Sequence, residues 1–284
     1  MISRPFEYFT PKTLGEALAI MKRFGDEAKL LAGGQSLVPM MNLGLVAPRY
    51  IIDINKVRGL SGIRETSRAL IIGAIVRHHE IASSETVRRI IPMLSEAASH
   101  IGDMHVRHRG TIGGSVCHAD PAADYLPVLQ VADAVFEVRD TRRKRLVKAR
   151  EFFKDAFTTA LKDGEVLTTV QIPKRNGWSS AYEKLEFVAG GFAVASAAVM
   201  VKLNERSEIE NLMVGIGGVE RRPVFLDLTP GFAGRSVGRD VAEEVEASVT
   251  SRVRDPISDI QADGEYRKAM AGVLARRAFQ RCLG

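Results

Sequence analysis

Two pairs of adjacent glycines constrain the fold of this chain more than any other feature of its sequence. One pair lies in Ala32–Leu37 (AGGQSL), directly after a short apolar segment, and the other lies in Thr111–Ser115 (TIGGS). Without Cβ atoms, paired glycines can adopt positive φ and let the backbone approach a ligand closely. Either segment alone is typical of an ordinary tight turn. Together they predict two nests of backbone N–H groups for a pyrophosphate, with neutral side-chain donors beside them: Gln35, Ser36, Thr111 and Ser115.

A Rossmann dinucleotide site is the first alternative for the earlier pair. Asp53 follows at the end of a predicted strand, where the ribose-binding acid of a Rossmann unit lies. However, the glycines do not form G-x-G-x-x-G, and the segment 37–48 contains Pro39 and Pro48, which makes it a poor crossover helix. We therefore do not expect a Rossmann unit.

Hydrophobic periodicity predicts an α+β chain in two parts. Thr13 and Glu16 form a capping box before a helix that ends at Gly25, and Pro92 interrupts a helical pattern. The pattern lapses around 173–177, where we predict a domain boundary. The predicted strands are 28–32, 50–54, 69–74, 128–138, 166–172, 193–203 and 209–219, and the other predicted helices are 84–101 and 264–282, the last with Met270, Val273, Leu274 and Phe279 near one face.

Composition limits the possible partners and the location of the protein. The net charge is +6, but the densest basic run, Arg142–Arg145, lies between two predicted strands and is typical of a hairpin tip, so we expect no nucleic-acid partner. No segment is long and apolar enough to span a membrane, and the first ten residues lack a signal-peptide core, which predicts a cytoplasmic location. Only two cysteines occur, Cys117 and Cys282. A 2Fe–2S cluster needs about four ligands, so any such cluster must lie on another chain.

Five motifs, in order over essentially the whole chain, carry a resemblance to the FAD-binding medium subunits of molybdenum hydroxylases, such as carbon monoxide dehydrogenase and the xanthine dehydrogenase FAD subunits. Either glycine motif alone is weak, whereas the set is specific. The motifs are AGGQSLVPMMNLGL (32–45), IDI (52–54), RHRGTIGGSVCHADPAAD (107–124), YEKLE (182–186) and YRKAMAGVLARRA (266–278).

The resemblance implies a two-lobed FAD-binding domain of the vanillyl-alcohol-oxidase-like (PCMH) type, followed by a smaller α+β domain. The expected domains are 1–175, with lobes of about 1–56 and 57–175, and 176–284. In such proteins one glycine segment from each lobe clamps the diphosphate of FAD. Here the matching residues are Leu31, Ala32, Gly33, Gly34, Gln35, Ser36 and Leu37 in the first lobe, and Thr111, Ile112, Gly113, Gly114 and Ser115 in the second.

Four further positions match the family's cofactor site. By resemblance, Asp124 holds an adenosine ribose hydroxyl, Ile101 and Leu167 pack against the rings, and Lys184 lies near the flavin, where a positive charge favours reduced forms. From the sequence alone, a helix cap for Asp124 and a solvated strand residue for Lys184 are the simpler interpretations.

The chain departs from its relatives at several places around the expected flavin. Ser115 stands where relatives often carry Asn, Val76-Arg77 where they tend to carry two Thr, and Gly191-Phe192 where an acid and a Tyr or Trp are frequent. These differences leave the hydrogen bonds and potential of the flavin open.

All six histidines lie between His78 and His118. His105, His108 and Cys117 make a metal site conceivable, but the surrounding loop is rich in glycine and the resembled family binds no metal on this subunit. We expect no metal on this chain.

The function implied is electron transfer without a catalytic acid, base or nucleophile on this chain. FAD here receives electrons from 2Fe–2S centres on a small subunit, which take them from a molybdenum cofactor on a large subunit, and passes them to an external acceptor. The expected assembly is a dimer of heterotrimers, a heterohexamer. The alternatives are a self-sufficient flavin oxidase and a non-enzymatic nucleotide-binding module.

Overall fold

The computed structural model describes residues 4–284, and its first lobe is a small parallel sheet with helices. Strands β1 and β2 both pair in parallel with β3 between them, so the order is β1-β3-β2. Its own apolar core includes Ala17, Ile52 and Leu60. The elements are β1 (Glu7–Phe9), α1 (Leu14–Phe24), β2 (Ala28–Leu31), α2 (Leu37–Asn42) and β3 (Tyr50–Asp53), with 3-10 turns at Gly25–Glu27 and Ile54–Lys56.

The second lobe is an antiparallel sheet of order β4-β5-β10-β6-β7, packed against seven helices. Phe136, Phe152 and Phe153 meet edge to face in its core. The elements are β4 (Ile63–Glu65), β5 (Ala69–Gly73), α3 (His78–Ser83), α4 (Glu85–Ile90), α5 (Pro92–His100), α6 (Met104–Arg109), α7 (Ile112–His118), α8 (Tyr125–Val131), β6 (Val135–Arg139), β7 (Lys144–Lys148), α9 (Ala149–Phe152), β8 (Phe153–Asp155), β9 (Thr158–Thr159) and β10 (Val166–Pro173).

The third part is a four-stranded antiparallel sheet of order β11-β12-β13-β14. The long helix α12 and α11 cover one face, and α8 of the second lobe packs on the other. Gly215 allows this approach, because a Cβ there would lie 2.6 Å from the carbonyl oxygen of Pro127. The elements are β11 (Trp178–Glu186), β12 (Ala193–Leu203), β13 (Ile209–Gly217), β14 (Val224–Asp227), α10 (Thr229–Phe232), α11 (Arg239–Arg252) and α12 (Gly264–Cys282).

Most predicted elements are confirmed, including the break at Pro92, the basic hairpin between β6 and β7, the β12–β13 pair and α12. The strand predicted over 128–138 is wrong in its first half, where α8 continues to Val131. Every residue of α8 is buried, and a continuous apolar run does not distinguish a buried helix from a buried strand.

The segment 37–48 also differs from its prediction, since it begins with the short helix α2. Pro39 is the third residue of that helix, where a backbone N–H has no partner within the helix, so its missing donor costs little. Among residues 4–284, no helix is both long and apolar enough to cross a membrane.

Arg267 joins α12 to the ends of two strands of the third sheet. Its side chain is almost fully buried, and Nη1 donates to the carbonyl oxygens of Val194 and Gly218, each at 2.7 Å. Nη2 lies 2.6 Å from Oδ1 of Asp259. Val194 follows the loop 187–192 by two residues, so Arg267 holds the end of that loop in place.

We predict that Arg267→Leu lowers the free energy of unfolding by about 3 kcal/mol, because two buried carbonyls lose a charged donor. Arg277→Leu, on the exposed side of the same helix, should change it by less than about 0.5 kcal/mol. Urea titration followed by Trp178, the only tryptophan, reports on this sheet. Equal midpoints for the two variants would contradict the assigned role.

Candidate cofactor-binding site

The two glycine segments lie against each other, as predicted, and their contact depends on missing side chains. A Cβ at Gly33 would stand 2.6 Å from the Cα of Gly110, just before the second segment. A Cβ at Gly114 would stand 4.0 Å from the Cβ of Ala32. The first and second lobes therefore meet at these two loops.

The first segment presents a row of unpaired donors. Among the described residues, the N–H groups from Gly33 to Ser36 have no acceptor in the protein. Gly34 has φ of 78°, a conformation that glycine adopts without strain. Successive free N–H groups in such a turn form an anion-binding nest, so the expected nest is present here.

The second segment differs from the prediction, because it is the first turn of α7 and its glycines are helical. Its N–H groups already have acceptors: Ile112 donates to Val76, Gly113 to Ala74, Gly114 to Oγ1 of Thr111, and Ser115 to the Thr111 carbonyl. The expectation of free N–H groups is therefore wrong for this segment. Its contribution to a ligand must come from the Ser115 hydroxyl and from neighbouring side chains.

Gly33 and Gly113 also have a structural function that the sequence does not reveal. A Cβ at Gly113 would lie 2.6 Å from the carbonyl oxygen of Ala74 at the end of β5. Substitution at Gly33 or Gly113 would displace backbone, whereas Gly114 meets only the Thr111 side chain at 2.9 Å and faces Ala32. Gly114 is therefore the position where an added methyl group would test the region between the two segments without displacing backbone.

Asp124 and Lys184 form a buried ion pair where α8 meets β11. Oδ1 of Asp124 lies 3.0 Å from Nζ of Lys184 and accepts a 2.6 Å hydrogen bond from the Tyr182 hydroxyl. Burial raises the pKa of Asp124, and Lys184 and Tyr182 oppose that rise. The Asp124 side chain makes no capping bond to α8, so the simple cap interpretation is wrong.

Lys184 is likewise not a solvated strand residue, since its side chain is completely buried. Its ammonium group also contacts Oε2 of Glu186 at 3.1 Å and the carbonyl oxygen of His100 at 3.1 Å. Two carboxylates therefore surround this one cation, and Lys184 does not present a free positive charge.

The apolar candidates for the cofactor site differ in their exposure. Leu167 is 3% exposed in the core of the second lobe, while Ile101 is half-buried at the end of α5. Phe192 is 57% exposed on the loop after β11. That loop contacts the segment after α5, because a Cβ at Gly190 would lie 2.7 Å from the carbonyl oxygen of Gly102.

Three polar residues at the junction of the lobes were not among the predicted FAD-binding residues: Asn55, Arg77 and His78. Nδ2 of Asn55 donates to the carbonyl oxygen of Ala32 at 2.8 Å, and Asp53 holds Asn55 in place. Asp53 thus supports the first segment through Asn55. A polar residue two positions beyond a strand end is too common a pattern to have revealed this.

The histidines do not gather around a common point. His79 and His108 stack at 4.2 Å between ring centroids, and among residues 4–284 no group of three or more His, Cys, Asp or Glu side chains has a metal-binding arrangement. His78 is buried next to the second segment. Its backbone N–H donates to the carbonyl oxygen of Gly110, and its ring Nδ1 lies 3.0 Å from the Tyr125 hydroxyl.

The burial of His78 predicts a specific pH dependence. Burial, followed by the nearby Arg77 and Arg107, lowers the pKa of His78 from 6.5 to about 3. Because the folded pKa is below the unfolded one, the contribution of neutral His78 is complete above pH 6.5 and is lost as the pH falls towards 3. The loss should be about 1.4 kcal/mol per pH unit below 6.5.

Denaturant titrations of the wild type and His78→Gln at pH 7 and pH 5 test this. The wild type should lose about 2 kcal/mol more than the variant over that interval, since the other groups cancel in the comparison. Parallel losses in the two proteins would show that His78 is protonated in the folded state.

Comparison with known proteins agrees with this geometry. A family model described as the FAD-binding domain in molybdopterin dehydrogenase matches residues 4–175, and one described as the CO dehydrogenase flavoprotein C-terminal domain matches residues 180–282. The glyceraldehyde dehydrogenase medium chain of Sulfolobus acidocaldarius is 36% identical over 97% of both chains. The carbon monoxide dehydrogenase medium chain of Hydrogenophaga pseudoflava is 37% identical over 98% of this chain and 97% of its own.

A solved structure of carbon monoxide dehydrogenase from Hydrogenophaga pseudoflava, which lacks the Mo-pyranopterin moiety of its cofactor, superimposes with a TM-score of 0.94 at 33% identity. The match covers 100% of this chain and 99% of that one. It confirms the predicted α+β class, with an FAD-binding part followed by a smaller flavoprotein part. Several relatives are named medium chains or subunits of dehydrogenases or of a hydroxylase, so chains of this kind work with partner subunits. This chain belongs to the FAD-binding medium subunits of the molybdenum hydroxylases, the family predicted from its sequence.

Proposed function

We propose that this chain binds FAD between its two glycine segments and serves as the electron-transfer subunit of a molybdenum-containing hydroxylase. The observation that carries this proposal is the row of N–H groups from Gly33 to Ser36 that have no acceptor among the described residues and that lie next to the second glycine segment. A diphosphate fits such a row, because it brings several acceptor oxygens and negative charge.

The site residues follow from this placement. The segments Leu31–Leu37 and Thr111–Ser115 hold the diphosphate, the first through N–H groups and the second through the Ser115 hydroxyl. On the family resemblance, we propose that Asp124 takes a ribose hydroxyl and that Ile101 and Leu167 contribute apolar contacts to the rings. Lys184 stays neutralised by Asp124 and Glu186, so it supplies hydrogen bonds and fixed geometry rather than a free charge.

FAD, when bound, accepts electrons singly and delivers them in pairs. The residues of this chain hold and orient it, and we assign no catalytic acid, base or nucleophile among them. The electrons come from 2Fe–2S centres on a small subunit, which receive them from molybdenum on a large subunit. Cys117 and Cys282, the only cysteines, are too few to hold a cluster here.

Three finer points belong to the same proposal. The FAD-binding domain spans 1–175, with lobes of about 1–56 and 57–175, and the C-terminal domain spans 176–284; the matched family ranges and the separate cores of the first lobe and the last sheet support this division. We also propose a dimer of heterotrimers and a cytoplasmic location. The substrate is chosen on another subunit.

One prediction of this proposed function concerns the region between the glycine segments. Gly114→Ala should weaken FAD binding at least about tenfold, because its methyl group would point towards Ala32 where the diphosphate lies. Gly15→Ala, on an exposed and open face of α1, is the matched control and should bind as the wild type does. Fluorescence titration of the protein without cofactor measures both, and equal affinities would place FAD elsewhere.

A further prediction of the proposed function distinguishes an electron-transfer subunit from a self-sufficient oxidase. The purified chain should release unmodified FAD after acid precipitation, because binding is noncovalent. In anaerobic stopped-flow, substrates of the holoenzyme should bleach the flavin of the complex but not that of the isolated, FAD-loaded chain. Equally fast reduction in both would identify an oxidase, whereas a chain that takes up no FAD would be a different nucleotide-binding module.

A further inference from the structure

Arg77 connects the two glycine segments through a continuous set of hydrogen bonds. Its Nη2 donates to Oδ1 of Asn55 at 2.6 Å, and Nδ2 of Asn55 donates to the carbonyl oxygen of Ala32 at 2.8 Å. At its other end, Nη1 donates to the carbonyl oxygen of Arg109 at 2.5 Å. One side chain therefore spans from the support of the first segment to the residues that precede the second.

The charge of Arg77 has no carboxylate partner in the described part of the chain. The two acceptors of its guanidinium, the Asn55 amide oxygen and the Arg109 carbonyl oxygen, are both neutral. Neither Arg77 nor Arg109 belongs to an ion pair within residues 4–284. Burial first, and then repulsion from Arg109, lower the pKa of Arg77, while Glu80 and Asp53 act in the opposite direction. Two neighbouring cations therefore lie at the junction of the loops, and neither guanidinium is in an ion pair with the Glu80 or Asp53 carboxylates near Arg77.

The second glycine segment needs a nearby positive charge if it faces an anion. All four N–H groups from Ile112 to Ser115 have acceptors within the protein, so this segment offers no backbone donors. The backbone of Arg77 pairs with Thr111, the residue that caps α7. A guanidinium carries five N–H donors, of which two are used here, so Arg77 retains both charge and further donors beside the second segment.

We propose that Arg77 is a positioning residue for the FAD diphosphate, setting the spacing of the two glycine segments and supplying the positive charge that the second segment lacks. This inference rests on the proposed function.

Titration with FAD at several salt concentrations tests the proposal on the full chain without cofactor. Arg77→Gln keeps polar groups without charge, Arg77→Lys keeps charge without the planar fork, and Arg206→Gln, in the exposed β12–β13 turn, is the matched control. We expect Arg77→Gln to weaken FAD binding about 10- to 100-fold and to flatten its salt dependence. Arg77→Lys should retain the salt dependence with a smaller loss, and Arg206→Gln should match the wild type.

The outcomes separate this inference from the function beneath it. If the wild type itself binds no FAD, the proposed function fails. If the wild type binds FAD and Arg77→Gln binds it equally well, the role of Arg77 is refuted. Weaker binding by Arg77→Gln with an unchanged salt dependence would show that Arg77 only supports the loops and contributes no charge. ADP titration under the same conditions should repeat the pattern, because ADP carries the diphosphate without the flavin.

Discussion

The site depends on one close contact, in which the backbone at Gly33 lies directly against the backbone at Gly110. A side chain at Gly33 would push the loops apart, since its Cβ would overlap main-chain atoms that cannot move aside. This contact brings the end of β2 to the start of α7 and therefore fixes how the first two lobes meet. Gly113 repeats the arrangement against Ala74, so both loops are positioned by main-chain packing before any ligand is considered.

The third part of the chain is joined to this junction through α8. That helix is buried along its whole length between the second lobe and the last sheet. At its start, Asp124 pairs with Lys184 of β11, which makes the ion pair a connection between domains as well as part of the site. Removing Lys184 would leave Asp124 buried without its cation, a larger cost than losing a surface pair, whereas removing Asp124 would leave Lys184 still paired with Glu186. A loss of cofactor binding after deletion of Lys184 would therefore include this structural cost.

The sequence predicted the elements well where a pattern has only one physical explanation. The helical face of α12 fits a single period. The buried segment 128–131 was wrongly predicted as a strand, because a fully buried segment has no polar side from which a period can be measured, and the largely buried β12 was predicted correctly without such a signal. In the site, each glycine pair alone predicted only a turn, and the resemblance implied that the two act together. Which N–H groups remain free depends on acceptors such as Val76 and Ala74, which lie far away in sequence.

The resulting site is asymmetric, and this follows from how each loop is built. The first segment is a turn between a strand and a short helix, and the nearby Arg109 carbonyl oxygen accepts from Arg77 instead of from this segment. The second segment starts a helix beside the residues that follow β5, and the carbonyls of Ala74 and Val76 accept its first two N–H groups while Thr111 accepts the next two. An anion between them would meet backbone dipoles on one side and side chains on the other. A substitution other than proline leaves a backbone donor in place, whereas it changes a side-chain donor directly. The second side, where Arg77 and Ser115 lie, is therefore the one that single substitutions in this chain alter most directly.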